Sequence, residues 1–255
     1  MPNESEGRAS RRLKFIVAYD GTGFSGWQSQ PNGDTIQDRL ETAFAKVLGQ
    51  DIRVHGAGRT DAGVHALAQC AHVDVATRLE PVVLLAAVNA SLPPTIRILR
   101  GSFVPPNFHA RFAARGKVYR YRIVNTPVLS PFELGRAWHV TGTLDDARLR
   151  ACAEAFCGTH DFARFAAKRG HPVASTVRTI RRVRVQRSRA ITVVEFDGDG
   201  FLYKMVRLMV GAIVRCGLGK TGVHEVGERL RGLAVANSRL VAPAGGLTLV
   251  RVRYR

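Results

Sequence analysis

Gly56-Ala57-Gly58-Arg59-Thr60-Asp61-Ala62-Gly63-Val64-His65 is a turn-rich loop between two alternating runs. Before it, in 51–55, Ile52 and Val54 share one face, as in a half-buried strand; after it, in 68–75, Ala71, Val73 and Val75 recur at period two. Its three glycines mark a backbone that turns sharply and lets another molecule come close. The unit therefore reads as strand, loop, strand. It carries one carboxylate, Asp61, with the guanidinium of Arg59 two residues earlier. A carboxylate held on a tight loop is a candidate nucleophile or base, but Asp before Ala-Gly reads equally as a plain turn residue. No Gly-Lys-Ser/Thr closes the loop, so it is not a Walker-type phosphate cradle, nor does it carry the spaced glycines of a dinucleotide fingerprint.

Outward from the loop, strand and helix signals alternate. Leu13–Tyr19 is the first strand candidate, followed by the turn Asp20-Gly21-Thr22-Gly23-Phe24. Thr35 with Asp38 resembles a capping box, Ile36, Leu40, Ala43, Phe44, Val47 and Leu48 form one helical stripe, and Gly49 stops it. Pro81 opens an apolar helix over 82–91, expected to be buried. Strands are expected over 96–104 and over 117–123, where Tyr119, Tyr121 and Ile123 alternate with Arg120 and Arg122. That arginine face is either an RNA-facing surface or a solvated one. Thr143 is read as the cap of a helix over 144–157, and 179–187 with 190–196 as a hairpin. An amphipathic helix carries Met205, Leu208, Met209, Ala212, Ile213 and Cys216, and a last strand runs over 247–254.

The segment 18–24 is echoed at 195–201, both reading strand, then Asp-Gly-x-Gly-Phe. A short echo suggests two related halves. With the proline-marked break at 125–131, the expected organisation is a flexible leader over 1–12, an N-terminal lobe carrying the loop over 13–126, and a C-terminal lobe over 127–255.

The chain has 255 residues and a net charge of +18; only six of its 38 basic residues are lysine, leaving 32 arginines. Arginine presents planar paired donors to phosphate and stacks on bases, so the excess points to a nucleic-acid partner. The four cysteines form no C-x-x-C pair and read as core thiols in a reducing compartment. No apolar run is long enough to span a membrane, and the expected location is the cytoplasm. The basic loop Lys168-Arg169-Gly170-His171-Pro172 has little apolar content and reads as solvated or as ordering on a partner.

Five collinear segments carry a resemblance: Ala18–Gln28, Ala57–Ala66, Asn107–Phe112 continuing to Lys117–Tyr121, Gly158–Phe162, and Gly200–Arg207 with the tail Ala242–Leu247. On these, nearly the whole chain resembles the TruA family of tRNA pseudouridine synthases. The resemblance implies an α+β fold of two related lobes, whose antiparallel sheets form one continuous sheet with a central basic cleft. It implies a homodimer that isomerises uridine to pseudouridine at positions 38 to 40 of the tRNA anticodon stem-loop, with no cofactor and no metal. The family's catalytic carboxylate falls on Asp61, its active-site tyrosine on Tyr119, and the arginine that pairs with the carboxylate on Arg207. Arg59 falls on the arginine implicated in holding or opening the target nucleotide. Phosphate contacts are expected among Arg111, Arg115, Lys117, Lys168, Arg169 and Arg178.

Two other function classes compete. An RRM-like RNA-binding chaperone would use the charge without chemistry, but it would need more surface aromatics and no Asp61. A metal hydrolase built on His55, His65, His72 and Asp74 has only loose ligand spacing.

Overall fold

The computed structural model describes residues 10–31, 33–167, 174–233 and 240–254. Among them are ten β-strands and five α-helices, the mixed α+β class that the alternating signals imply. The leader's residues 1–9 and the basic loop with Lys168 and Arg169 lie outside the described residues. The chain divides into two compact units, one running through Ala114 and taking back Leu249–Arg255, the other spanning Arg115–Thr248.

In the first unit, β1 (Arg11–Tyr19) begins before the apolar run does. Arg12 pairs in register with Asp74 and Val104, and its guanidinium takes both Asp74 oxygens at 2.7 Å. The helix α1 (Ile36–Leu48) forms as its signals require: Thr35 Oγ1 accepts from the Asp38 N–H, and Gly49 ends it at φ 65°. Next, β2 is only His55–Gly56. The strand expected over 51–55 is absent because the Val54 N–H is taken by the Glu41 carboxylate at 2.9 Å rather than by a ladder partner.

After the loop comes β3 (His65–Val75), then α2 (Pro81–Ser91) and β4 (Ile96–Val104). The strand order is β4-β1-β3, antiparallel, with β2 also on β3, and β10 (Leu247–Arg253) beyond β3. Phe44 of α1 meets Phe15 of β1 at 5.5 Å between ring centroids, and both are fully buried; burying such a ring contributes about 2 kcal/mol. Helix α2 is not buried all round: Leu84, Leu85 and Val88 face the core, while Val82 is 76% exposed. Its apolar residues lack a 3.6-residue period, so one wall of the helix carries valine into solvent.

The second unit opens with β5 (Gly116–Val124), followed by the two-residue β6 (Trp138–His139) and α3 (Asp146–Glu154). The boundary in compactness thus falls before β5, and the proline-marked segment 125–131 is a loop inside this unit. Helix α3 is capped by Asp145, whose Oδ1 accepts from the Arg148 N–H at 3.0 Å, not by Thr143. Strands β7 (Gly158–Asp161), β8 (Val177–Ser188) and β9 (Ile191–Gly198) follow, the last two joined by a tight turn with Arg189 at φ 53°. They order as β5-β9-β8-β7, antiparallel, with β6 parallel to β5. Then come α4 (Met205–Gly217) and α5 (Val223–Leu230); both pack beside α3, which lies on β8. No helix of the described residues is long and apolar enough to cross a membrane.

Candidate active site

Asp61 heads a four-residue turn. Its main-chain carbonyl accepts from the Val64 N–H at 3.1 Å, and Gly63 supplies the positive φ of 76° at the third position. The turn is closed through the backbone, so Asp61's place in it does not depend on an acidic side chain. The carboxylate is half-buried.

The residue before it fixes where that carboxylate stands. Thr60 is buried, and its hydroxyl lies 2.8 Å from the Tyr19 hydroxyl, whose acidity burial suppresses. The Thr60 carbonyl accepts from the Trp27 N–H at 3.1 Å. Gly26, at φ 93°, lies so close that a Cβ there would sit 2.7 Å from that same carbonyl. On the other flank, Gly21 backs onto Val64: a Cβ would fall 2.1 Å from its carbonyl oxygen, while the Gly21 N–H points at His65 Nδ1 at 3.0 Å. Gln69 reaches the Gly58 carbonyl at 2.7 Å, and the Ala57 N–H reaches Cys70 at 2.8 Å. The loop is thus gripped through its main chain by neighbours that could be no larger than glycine at the closest points.

Arg59 is exposed on this loop and donates Nε–H to Gln28 Oε1 at 3.0 Å. Gln28 belongs to a row of polar side chains running back to α1, which reading along the chain does not reveal because its members are far apart in sequence.

In the second unit, Tyr119 lies on β5, nearly buried, with its ring edge-on to Phe201 at 5.1 Å and 82°. Arg207 is in the first turn of α4, a turn with no acidic residue, preceded by Lys204 at φ 57°. Cations at a helix N-terminus oppose the helix dipole, so they need holding, and an anion is favoured beside them. The Arg207 Nε–H is held by the Ala242 carbonyl at 2.7 Å, and the Ala242 N–H returns a bond to the Arg207 carbonyl at 3.1 Å. The segment can come this near because Gly211 leaves room for Leu240, whose carbonyl would sit 1.9 Å from an added Cβ.

Of the remaining expected cations, Arg111 belongs to the first unit and Arg115, Lys117 and Arg178 to the second. Arg111 and Arg115 are exposed, and Lys117 is half-buried. Arg178 turns its guanidinium to the Ser175 and Val177 carbonyls. The strand arginines Arg120 and Arg122 face Glu195 at 3.3 Å and Glu133 at 2.8 Å, so their charge is locally balanced. The four residues weighed as metal ligands divide. His55 and His72 stack at 5.0 Å and Asp74 binds Arg12, whereas His65 lies against Asp20 and Gly21. Among the described residues no group of three or more His, Cys, Asp or Glu is placed to hold a metal.

The chain is similar to known proteins along most of its length. The family model described as tRNA pseudouridine synthase matches residues 15–113 and 152–255. A relative from Akkermansia muciniphila named tRNA pseudouridine synthase A is 46% identical over 251 residues, covering 95% of each chain. Proteins of the same name from Methylacidiphilum infernorum and Ruminiclostridium cellulolyticum are 42% and 40% identical, covering 94% and 96% of this chain and 94% and 100% of their own. With the family model matched across both compact units, and relatives aligned end to end, the chain belongs to the tRNA pseudouridine synthase family.

Proposed function

We propose that this chain isomerises uridine to pseudouridine in the anticodon stem-loop of tRNA, with Asp61 as the nucleophile. The observation that carries the reading is the grip on Thr60: hydroxyl, carbonyl and flanking glycines together present the next side chain, the carboxylate, from a rigid turn.

The reaction breaks the bond from ribose C1′ to uracil N1 and forms one from C1′ to C5. The C5 proton leaves to water and N1 gains one, so the exchange is redox-neutral. A carboxylate assists by attacking C6 of the base or C1′ of the sugar, or by promoting a glycal. Arg207 is the cation assigned to that carboxylate. Tyr119, stiffened by Phe201, stacks on the uracil and takes part in removing the C5 proton. A uridine within a stem must first leave the stack, which costs a few kcal/mol; Arg59 and phosphate contacts from Arg111, Arg115, Lys117, Lys168, Arg169 and Arg178 offset it. Replacing any one of these cations with alanine should weaken binding and lower its salt dependence by about one counterion. The enzyme acts as a cytoplasmic homodimer, a form that light scattering of the purified protein tests directly.

The deciding experiment measures tritium released from [5-³H]uridine in a tRNA transcript. Wild type releases label; Asp61→Asn, shown folded by circular dichroism, releases none. Equal release would end the assignment. Tight tRNA binding with unchanged nucleoside composition would instead favour the RNA chaperone.

A further inference from the structure

The row of side chains behind Arg59 has a direction that its ends impose. Glu41, on α1, is a carboxylate and can only accept; its Oε1 takes the Val54 N–H at 2.9 Å and Gln37 Nε2 at 2.8 Å. Gln37, 2% exposed, must therefore turn its amide nitrogen to Glu41 and its oxygen away. That oxygen accepts from the Ser29 N–H at 3.0 Å and from Gln28 Nε2 at 2.7 Å. The Ser29 N–H can only donate, so it fixes the same orientation independently. Gln28 is left with its own oxygen outermost, and the Arg59 Nε–H, another obligate donor, closes the row at 3.0 Å. Flipping either amide would set donor against donor or acceptor against acceptor.

A main-chain path runs beside it. The Ile36 and Gln37 N–H groups at the start of α1 bond the Gly26 and Trp27 carbonyls at 3.1 and 3.0 Å, and Trp27 in turn bonds Thr60. One path sets the backbone of the loop, the other the side chain of Arg59. A guanidinium is planar, so fixing Nε fixes the directions in which both terminal nitrogens donate.

We propose that Glu41, Gln37 and Gln28 are positioning residues: a relay of set polarity that holds the Arg59 guanidinium in the orientation in which it engages the RNA. This rests on the proposed reading of the loop, in which Arg59 holds or opens the target nucleotide. Gln28→Met keeps the length of the side chain and removes both its acceptor for Arg59 and its donor to Gln37, whose oxygen still accepts from the Ser29 N–H. It should lower kcat/KM on tRNA about tenfold, the loss expected of a hydrogen bond to a charged donor, with the melting temperature unchanged. The discriminating measurement is a cycle with Arg59→Ala. If the relay acts through Arg59, Gln28→Met costs nothing further in that background, and Gln37→Leu, which does not touch Arg59, behaves the same way. Should Gln37→Leu fail to fold, the Gln28→Met cycle decides alone. The Arg59 Nε–H resonance gives a second readout: it should exchange with water faster in Gln28→Met. Losses that multiply in the double variant, or an unchanged exchange rate, overturn the relay. Asp61→Asn measured alongside separates the two levels. An inactive Asp61→Asn with multiplying losses removes the relay only, whereas an active one removes the reading of the loop and the relay with it.

Discussion

The two Asp-Gly-x-Gly-Phe segments do different work with the same residue pattern. In the first unit, Gly21 lies against the carbonyl of Val64, and the chain beyond it bonds Thr60 through Trp27; what this copy supports is main chain, the loop bearing Asp61. In the second unit, Asp199 is tied to β8 in both directions, its N–H to the Thr179 carbonyl and its Oδ1 from the Thr179 N–H, each at 3.1 Å. Asp197 meets Arg181 at 3.3 Å, and Phe201 turns its ring toward Tyr119. This copy supports a side chain, an aromatic ring. A repeated motif is therefore not a repeated turn. Gly23 takes φ 82° in a turn that the Phe24 N–H closes on the Gly21 carbonyl, whereas Gly198 is the last residue of β9. The function of each copy is set by what packs on it.

The sharpest way to break this comparison is to add one methyl group to each copy. Gly21→Ala puts a Cβ 2.1 Å from a backbone oxygen, which cannot move without moving the loop; Gly198→Ala puts one 2.9 Å from the flexible end of Ile180, with the Thr179 carbonyl at 3.1 Å. Displacing a catalytic group by about 1 Å can cost on the order of 10²-fold in rate. Tritium release by Gly21→Ala should fall by about that factor, and that of Gly198→Ala by less than about tenfold, with an overpacking cost of roughly 1–3 kcal/mol read as lowered thermal stability. Equal losses would mean that the two copies are equivalent supports.

A smaller effect tests the second copy's cargo. Phe201→Leu retains bulk but removes the edge-on ring beside Tyr119. Aromatic pairs are worth about 0.5–1.5 kcal/mol beyond their area, so single-turnover rate should fall between about twofold and tenfold, with tRNA affinity unchanged. A change in affinity alone would move Phe201 from supporting the tyrosine to contacting the RNA.

Much of this was legible from local chemistry. Thr35, Asp38 and Gly49 delimit α1 because caps act within a few residues, and the glycines around Asp61 mark its turn for the same reason. Part of what escaped depends on partners distant in the chain, and part on a choice between nearby caps that residue types alone do not make. Val54 reads as a strand residue until Glu41 takes its N–H. Asp145 outcompetes Thr143 as a cap only where its carboxylate meets the Arg148 N–H. Helix α5 begins at a glycine and contains Gly227, both weak helix signals, and its start is secured by Glu225 accepting from the Gly222 N–H at 2.8 Å. The support of Arg59 joins residues 28, 37, 41 and 59, a set that only the fold assembles.

The units also differ in how acid should reach them. Beneath the loop of the first unit, His72 is 2% exposed, stacked on His55 at 5.0 Å and met by His109 at 4.7 Å, with Phe108, Arg12 and Asp74 around it. Burial foremost, then His109, His55 and Arg12, depresses its imidazole from 6.5 to about 4, against the opposing pull of Asp74. The folded protein therefore holds His72 neutral, and the Ala110 N–H donates to its Nδ1 at 3.2 Å. Because the unfolded chain takes up this proton first, the stabilising contribution is complete above about pH 6.5, declines as pH falls, and is gone once the folded form also protonates near pH 4. At pH 5 the loss from this one group is about 2 kcal/mol. His109 adds to it in the same direction, whereas Asp74 and Asp34, held low by Arg12 and Arg39, act only in more acidic solution. His72→Asn keeps an acceptor for Ala110 and cannot titrate. Its stability in urea should fall less than wild type's between pH 6.5 and 4.5, by about that amount, while activity at pH 7.5 stays the same. Amide exchange should show the acid-sensitive opening in β2, β3 and the loop between them rather than in β8 and β9; an opening spread evenly over both units would mean that this histidine cluster is not what makes the loop-bearing unit the more acid-labile one.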